Sequence, residues 1–423
     1  DTKPLKIAVL TDAHIDPLYE AYGVAECGEP TCCRKGQTLP NTYIYKSNID
    51  ESIVAQSLLY LKESILACFV FLFQDVDLVY YIGDTIDHGV WETTYDLIND
   101  MNRYLIDKIR KSFGDDVLVV PTLGNHESQP TNQFAPPSIT EEYLNTTWLY
   151  KALVNKWDFY LTDEAKETVL DRGDFSLSVR PGLRVISLNN NVAYTQNWWL
   201  IYDPLEAKRH LDWLVDELYE AESNGEKVHI ITHIPPGVSS LTHTWSREYN
   251  RIVNRFTSTI AAEFNGHSHS DEFKIFYNSE GQPINMAWGG GSATSYTFYN
   301  LNYKIESLLY FNLFSSANLT PNRRPHWYQL YEMKNTFALP DLSPASMDNL
   351  VHRMVTANKE LLDTYAAYFA KLSDPRWPYC NDILGSIRAK KLFEFFCNEI
   401  LCLNQQFRNV PDSPLNTWVK IKW

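Results

Sequence analysis

No stretch of this 423-residue chain is apolar for long enough to cross a bilayer. The most apolar run, SILACFVFLF at 64–73, is about half the ~20 residues a spanning helix needs and reads as a buried helix. The chain has no paired C-x-x-C unit, which excludes a zinc ribbon or a thiolate zinc finger. Cysteine is missing from 69 to 379, and the seven present (27, 32, 33, 68, 380, 397 and 402) crowd towards the ends. Positive charge is scarce: 37 Lys and Arg stand against 52 Asp and Glu, a net charge of −15. With a sequence pI of about 5.2, a basic nucleic-acid groove is excluded, so nucleic acid is not an expected partner. Anionic membranes would repel the chain at neutral pH, and less so near pH 5. Internal repeats and low-complexity tracts are absent. The first residue is Asp1, with neither Met nor signal peptide, which reads as a processed or trimmed chain.

What is present is a globular composition, 44% hydrophobic and 21% charged. Aromatics are high at 14%, with 26 Tyr and 12 Trp, which predicts a large packed core or a surface that meets lipid or sugar. Two sequons, NTT at Asn145 and NLT at Asn318, predict N-glycans at those positions. With the terminal cysteine clusters they predict a secreted or lumenal protein, extracellular or lysosomal.

Short β-rich runs recur, and each ends in polar residues. LKIAVLTDAH (5–14) ends in Asp12 and His14; VDLVYYIGDTIDH (76–88) in Asp84 and His88; DVLVVPTLGNHE (116–127) in Asn125 and His126. LRVISLNNN (183–191) follows the pattern, KVHIITHIPPG (227–237) carries His233, and IAAEFNGHSH (260–269) ends in His267 and His269. Helical spacing is evident at 52–66, 93–113 and 204–225. Strands alternating with helices predict an α/β fold, whose ligands bind at the carboxyl ends of the strands. After the Pro-rich stretch 337–346 the chain reads as helical, with Ser343-Pro344 as a helix start and single helices over 346–372 and 382–403. A catalytic domain over 1–335 and a C-terminal helical subdomain over 336–423 are expected.

The strand-end residues Asp12, His14, Asp84, Asn125, His233, His267 and His269 are all oxygen or nitrogen donors. Seven donors exceed the needs of one four- or five-coordinate ion and suit two ions sharing a carboxylate. Imidazole with carboxylate fits zinc, iron or manganese better than calcium. In an extended segment, residues two apart share a face, so His267 and His269 are expected to point the same way. A single Asp or His at a strand end is more often a cap or turn former. Five segments ending in the right residue types carry more weight than any one of them.

The series DAH, GDTIDH, GNHE, HIPPG and GHSH resembles the motif set of the calcineurin-like metallophosphoesterases. The stretches TCCRKG, GNHESQPTNQFAPPS, HIPPGVSSLTHTW and PHWYQLYEMKNTFALPDLSPASMDNLVHRM narrow the resemblance to the acid sphingomyelinase group. The resemblance implies a four-layer αββα sandwich with a small C-terminal helical subdomain. It also implies two Zn2+ ions, one held by Asp12, His14, Asp84 and His269, the other by Asp84, Asn125, His233 and His267. His88 and His126 match residues beside the scissile phosphate and are expected to be catalytic, one giving the leaving group its proton. A water acidified by the ions is the expected nucleophile. The remaining histidines (210, 229, 243, 326 and 352) have no motif around them and are expected to be structural.

The implied reaction is hydrolysis of sphingomyelin, met at a membrane or micelle surface, to ceramide and phosphocholine. The alternative is a nucleotide or other soluble phosphodiester as substrate. The group carries a saposin-like domain before the catalytic domain and this chain starts at the latter, so a saposin-like activator is an expected partner. The group's disulfide between two loops at the site mouth falls here on Ala193 and Ser239, and a further cysteine expected near Asn48 is missing. Cys33 with Cys68 and Cys27 with Cys32 are the pairings the resemblance then leaves. The aromatic C-terminal segments TYAAYFAKL and RWPY are expected to pack on the catalytic domain or to meet lipid.

Overall fold

A computed structural model of the chain describes residues 4–18, 76–293, 301–303, 309–313, 327–356 and 359–369. Every cysteine, the Asn318 sequon, His326 and the helices expected over 52–66 and 382–403 lie outside the described residues.

The apolar runs become short, fully buried strands. β1 (Ile7–Leu10), β2 (Leu78–Tyr81) and β3 (Leu118–Pro121) pair in parallel. Antiparallel β10 (Leu301–Tyr303), β11 (Leu309–Leu313) and β12 (Trp327–Glu332) extend the sheet beyond β1 in the order β12-β11-β10-β1-β2-β3. A second sheet has the order β4-β5-β6-β7-β9-β8. It is built from β4 (Phe175–Arg180), β5 (Leu183–Leu188), β6 (Lys227–Thr232), β7 (Ile260–Asn265), β8 (Glu272–Tyr277) and β9 (Pro283–Gly289). Here β5, β6, β7 and β9 run parallel, with β4 and β8 antiparallel at the edges. Strands buried on both faces lose the polar–apolar alternation, which is why the runs of β1, β2 and β3 are continuously apolar.

The two sheets touch directly. Tyr80 on β2 meets His229 on β6 (Oη to Nδ1, 2.8 Å), its ring lies 5.3 Å from that of Phe264 on β7, and Ser187 Oγ donates to the Pro121 carbonyl at 3.0 Å. One continuous apolar core runs through both.

Helices supply the crossovers. α1 (Tyr95–Phe113) joins β2 to β3; Thr94 caps it by accepting from Leu97 N, and Ile98, Leu105, Ile106 and Ile109 form its buried stripe. α2 (Thr147–Trp157) and α3 (Asp163–Arg172) precede β4, and the four-residue α4 (Trp199–Tyr202) follows β5. α5 (Glu206–Ser223) and α6 (His243–Arg255) connect β5 to β6 and β6 to β7. α7 (Met333–Thr336) continues β12. The expected helix over 346–372 is two: α8 (Pro344–Thr356), entered through Ser343 as expected, and α9 (Lys359–Phe369). Met347, Leu350, Val351 and Met354 bury α8 in the common core; Tyr365 is buried beside Phe273, and Tyr368 stacks on Tyr331 at 4.2 Å. These two α9 aromatics therefore pack inward instead of facing solvent.

The architecture is α/β, and the parallel strands β1–β3 and β5–β7 all deliver their carboxyl-end loops to one region between the sheets.

Candidate metal centre

The loop after each of β1, β2, β3, β6 and β7 brings its polar residues to that region, and all seven expected donors meet there. Asp12, His14, Asp84 and His269 form one group of converging ligand atoms; Asp84, His233 and His267 form a second, so Asp84 belongs to both. Five of the seven adopt positive φ: Asp12 at 52°, His14 at 41°, Asp84 at 59°, His267 at 68° and His269 at 55°. Non-glycine residues rarely tolerate this conformation, and its concentration here marks a site whose surroundings hold the backbone in place. It also corrects the extended reading of 267–269. The two histidines converge through left-handed backbone, not through strand alternation. Gly266 permits the approach, since a Cβ there would lie 2.0 Å from Thr11 Oγ1. Gly124 acts likewise, as its Cβ would meet Asp84 Oδ1 at 2.0 Å.

Backbone carbonyls set the ring tautomers. His14 Nδ1 donates to the Ile86 carbonyl at 2.7 Å, and His233 Nδ1 to the Ile82 carbonyl at 2.8 Å. Each Nε2 is then the ring nitrogen turned inward, towards the other donors. His14 Nε2 lies 3.4 Å from Asp84 Oδ2 and 3.0 Å from His269 Nε2, which itself lies 3.2 Å from Asp12 Oδ1. In the second group His233 Nε2 is 3.1 Å from both Asp84 Oδ2 and Asn125 Oδ1, and His267 Nδ1 is 2.9 Å from Asn125 Oδ1. Asn125 Nδ2 donates to Asn132 Oδ1 at 2.8 Å, which turns its oxygen towards the histidines.

The electrostatics suit cations. Asp12 and Asp84 are buried, and burial alone would raise their carboxyls; the imidazoles around them overcome it and hold both below the ordinary range, Asp12 chiefly through His269 and Asp84 chiefly through His233. Burial also pushes down the His14 ring, and the His267 ring to about 3. At His233 burial is outweighed by the Asp84 carboxylate, which pushes the ring up to about 9. Two dry carboxylates, an amide oxygen and inward-turned imidazole nitrogens are a donor set of the right chemistry for two divalent ions.

His88 and His126 sit on the first group's flank. The His88 ring stacks on His14 at 4.1 Å, and His126 stands edge-on to both at 4.7 Å. Burial, then the neighbouring His14 and His126, push the His88 ring down to about 2. His126 is fixed at both ends, its backbone N donating to Asp84 Oδ1 at 2.9 Å and its Nδ1 to the Asp87 carbonyl at 3.0 Å.

Three residues with no assigned role in the sequence reading also shape the site. Glu127 is buried; its Oε2 accepts from Asp84 N (3.0 Å) and Gly124 N (2.7 Å), its Oε1 from Thr85 N (2.6 Å). It clamps two donor loops together, and its place in GNHE was the available signal. Tyr194 sets its ring edge-on to His267 at 5.4 Å. Ser240 Oγ is 3.4 Å from His267 Nε2. No motif marks either. Where the related group has a disulfide, Tyr194 and Leu241 form an antiparallel bridge. Thr195 N donates to the Ser240 carbonyl and Thr242 N to the Ala193 carbonyl, at 2.8 and 3.1 Å. Backbone bonds thus join the same two loops. His210 and His229 lie in the core, the former 2.6 Å from Asp174 Oδ2. Asn145 is half-buried, and its amide donates to the Glu141 carbonyl at 2.7 Å.

Comparison with known proteins agrees with this geometry. The chain is 36% identical over 393 residues to a human sphingomyelin phosphodiesterase, covering 88% of this chain and 61% of that one. It is 33% identical over 406 residues to sphingomyelin phosphodiesterase B of Dictyostelium discoideum, covering 90% and 61%. A human cyclic GMP-AMP phosphodiesterase is 27% identical over 392 residues, covering 85% and 81%. The chain thus spans 61% of the length of the first two relatives. The sequence profile described as calcineurin-like phosphoesterase matches residues 5–271, a span that contains all seven converging donors together with His88 and His126. The chain belongs to the calcineurin-like phosphoesterase family.

Proposed function

We propose that this protein is a metal-dependent phosphodiesterase that hydrolyses sphingomyelin to ceramide and phosphocholine, and that its ions are two Zn2+. The observation that carries the reading is the double donor group around Asp84, in a chain similar over nine-tenths of its length to sphingomyelin phosphodiesterases. Asp12, His14, Asp84 and His269 would hold one ion, and Asp84, Asn125, His233 and His267 the other. When bound, such ions acidify a water and neutralise charge that builds on phosphoryl oxygens. The residues do the rest. Asn132 and the carbonyls of Ile82 and Ile86 orient the donors. Glu127 fixes the loop of the shared carboxylate. His126, braced against Asp87, and His88 face the same space and handle the leaving-group proton. In hydrolysis the P–O bond to the ceramide oxygen breaks, that oxygen takes a proton, and phosphocholine leaves with the water's oxygen.

The remaining expectations fit this reading: a secreted or lysosomal location, N-glycans at Asn145 and Asn318, a C-terminal helical subdomain over 336–423, and assistance from a saposin-like activator. Among the described residues no helix is long and apolar enough to cross a membrane. The similarity to a cyclic GMP-AMP phosphodiesterase supports a second reading, a soluble nucleotide diester as substrate. Comparing kcat/KM for sphingomyelin in detergent micelles with that for cyclic GMP-AMP decides between them. A ratio above one is expected; a ratio far below one would replace the lipid by the nucleotide.

A further inference from the structure

Three segments of the rim, 128–140 after β3, 189–202 after β5 and 233–246 after β6, contain no Asp, Glu, Lys or Arg; charge returns directly beyond them at Glu141, Glu142, Asp203 and Arg247, and the neighbouring loop after β2 carries Glu92. They form one connected surface built by neutral groups. Asn132 Nδ2 donates to Gln196 Oε1 at 3.0 Å, Gln133 Nε2 to the Gln196 carbonyl at 2.8 Å, and Trp198 N to Gln133 Oε1 at 3.1 Å. The bridge between Tyr194 and Leu241 joins the third loop. Asn132 is itself bonded to Asn125, so two side-chain links run from the donor cluster to Gln196, two residues before Trp198.

The same rim exposes large apolar side chains. Trp198 is 74% exposed, Ile201 87% and Tyr202 64%, all within five residues on and beside α4. Single exposed apolar residues are ordinary, but a cluster of Trp, Tyr and Ile beside a site suits the boundary between water and lipid, where amphipathic rings sit at headgroup depth.

We propose that these uncharged segments of the rim, led by Trp198, Ile201 and Tyr202, are the surface by which the protein seats itself on an electrically neutral, phosphocholine-headed lipid surface. The choice of phosphocholine lipid rests on the proposed function. Charge decides the occupant. A charged side chain would lose its hydration against a neutral headgroup layer without gaining a partner, and the three segments carry none; the charges bordering them at Glu141, Glu142 and Asp203 are acidic and add to the repulsion of anionic lipid. The net −15 of the whole chain opposes anionic lipid. Docking is therefore apolar, insensitive to salt on neutral vesicles, and weakened by anionic lipid at low salt.

The test uses the full chain with its metal and vesicles of pure phosphatidylcholine, which separates docking from turnover. The triple variant Trp198→Ser, Ile201→Ser, Tyr202→Ser is compared with Ile201→Asp, whose single exposed change spares folding, and with a control, Phe159→Ser with Leu170→Ser, that removes exposed apolar side chains elsewhere. Co-sedimentation with the vesicles should fall at least ~10-fold in the triple variant and several-fold in Ile201→Asp, with the control within about twofold. Hydrolysis of bis(p-nitrophenyl) phosphate should be unchanged in all of them. Native-like vesicle binding by the rim variants overturns the proposal. So does binding by the native chain only when a saposin-type protein is added, or a native dimer in sedimentation that the triple variant abolishes. Vesicle binding lost as expected in a protein that leaves micellar sphingomyelin intact would keep the rim and remove the proposed substrate. Micellar turnover with vesicle binding indifferent to the rim would do the reverse.

Discussion

Glu127 offers the sharpest test of how the centre is held. Its buried carboxylate accepts three backbone N–H bonds, from Asp84, Thr85 and Gly124. Asp84, at φ 59°, is the donor common to both groups, and Gly124 approaches it too closely to bear a side chain. In Glu127→Ala all three N–H groups lose their acceptor in a dry site. At about 1–3 kcal/mol for each orphaned group, and allowing for water entering the space left behind, the cost is roughly 3–6 kcal/mol. That is a large share of the ~5–15 kcal/mol that holds a typical fold together, so this variant should express poorly. Glu127→Gln is the informative change. Its amide oxygen retains the bonds from Asp84 and Gly124, and its NH2 is set against the Thr85 N–H. One buried donor without an acceptor should cost about 1–3 kcal/mol. At roughly 2–4 °C per kcal/mol, thermal unfolding should drop by about 2–12 °C, and a chelator should strip metal from the variant faster than from the native protein. An unfolding temperature within about 1 °C of native, with unchanged chelator sensitivity, would refute the clamp.

His88→Ala should lower kcat far more than it lowers bound metal, measured by steady-state assay and elemental analysis on one preparation; parallel losses would make His88 a scaffold residue. Asp84→Asn removes the shared carboxylate and should deplete both ions, with activity down at least ~100-fold; retention of two ions by elemental analysis would contradict the shared role. Two buried groups should favour acid, against the depressed His14, His88, His229 and His267 rings, which favour neutral pH. Burial works against the His210 imidazolium, but Asp174 and Glu206 raise the ring above its ordinary value, and burial pushes Glu263 up to about 7. In each case the folded value exceeds the unfolded one. Each contribution is therefore whole below the unfolded value, about 6.5 for His and about 4.5 for Glu, and fades as pH rises through the folded value. The native denaturant midpoint should therefore fall relative to that of Glu263→Gln from pH 5 to pH 8. A gap between the two that does not change over that range would refute the assignment.

Much of this was legible because buried parallel strands leave a plain trace. Continuous apolar runs such as IAVL and LVYY, each followed by polar residues, fix both the strand and the end at which a ligand sits. The donors of the centre are contributed one or two per loop, so their residue types show even before the loops are brought together. What stayed hidden depends on three-dimensional contact. Glu127 lies in plain view in GNHE, but its partners Asp84 and Thr85 are more than forty residues away. Tyr194 and Ser240 reach His267 only because β5 and β6 are neighbours. The left-handed backbone at His267 and His269 could not be read from spacing, since positive φ at a non-glycine residue is imposed by packing.

The central claim is that one two-ion centre cuts the phosphodiester of sphingomyelin. The most direct measurement is phosphocholine release from sphingomyelin in detergent micelles at about pH 5, on protein stripped by a chelator and then titrated with Zn2+. The account predicts no release from the stripped protein and recovery that saturates at two Zn2+ per chain. Release that persists after stripping, or recovery complete at a single ion, would contradict it.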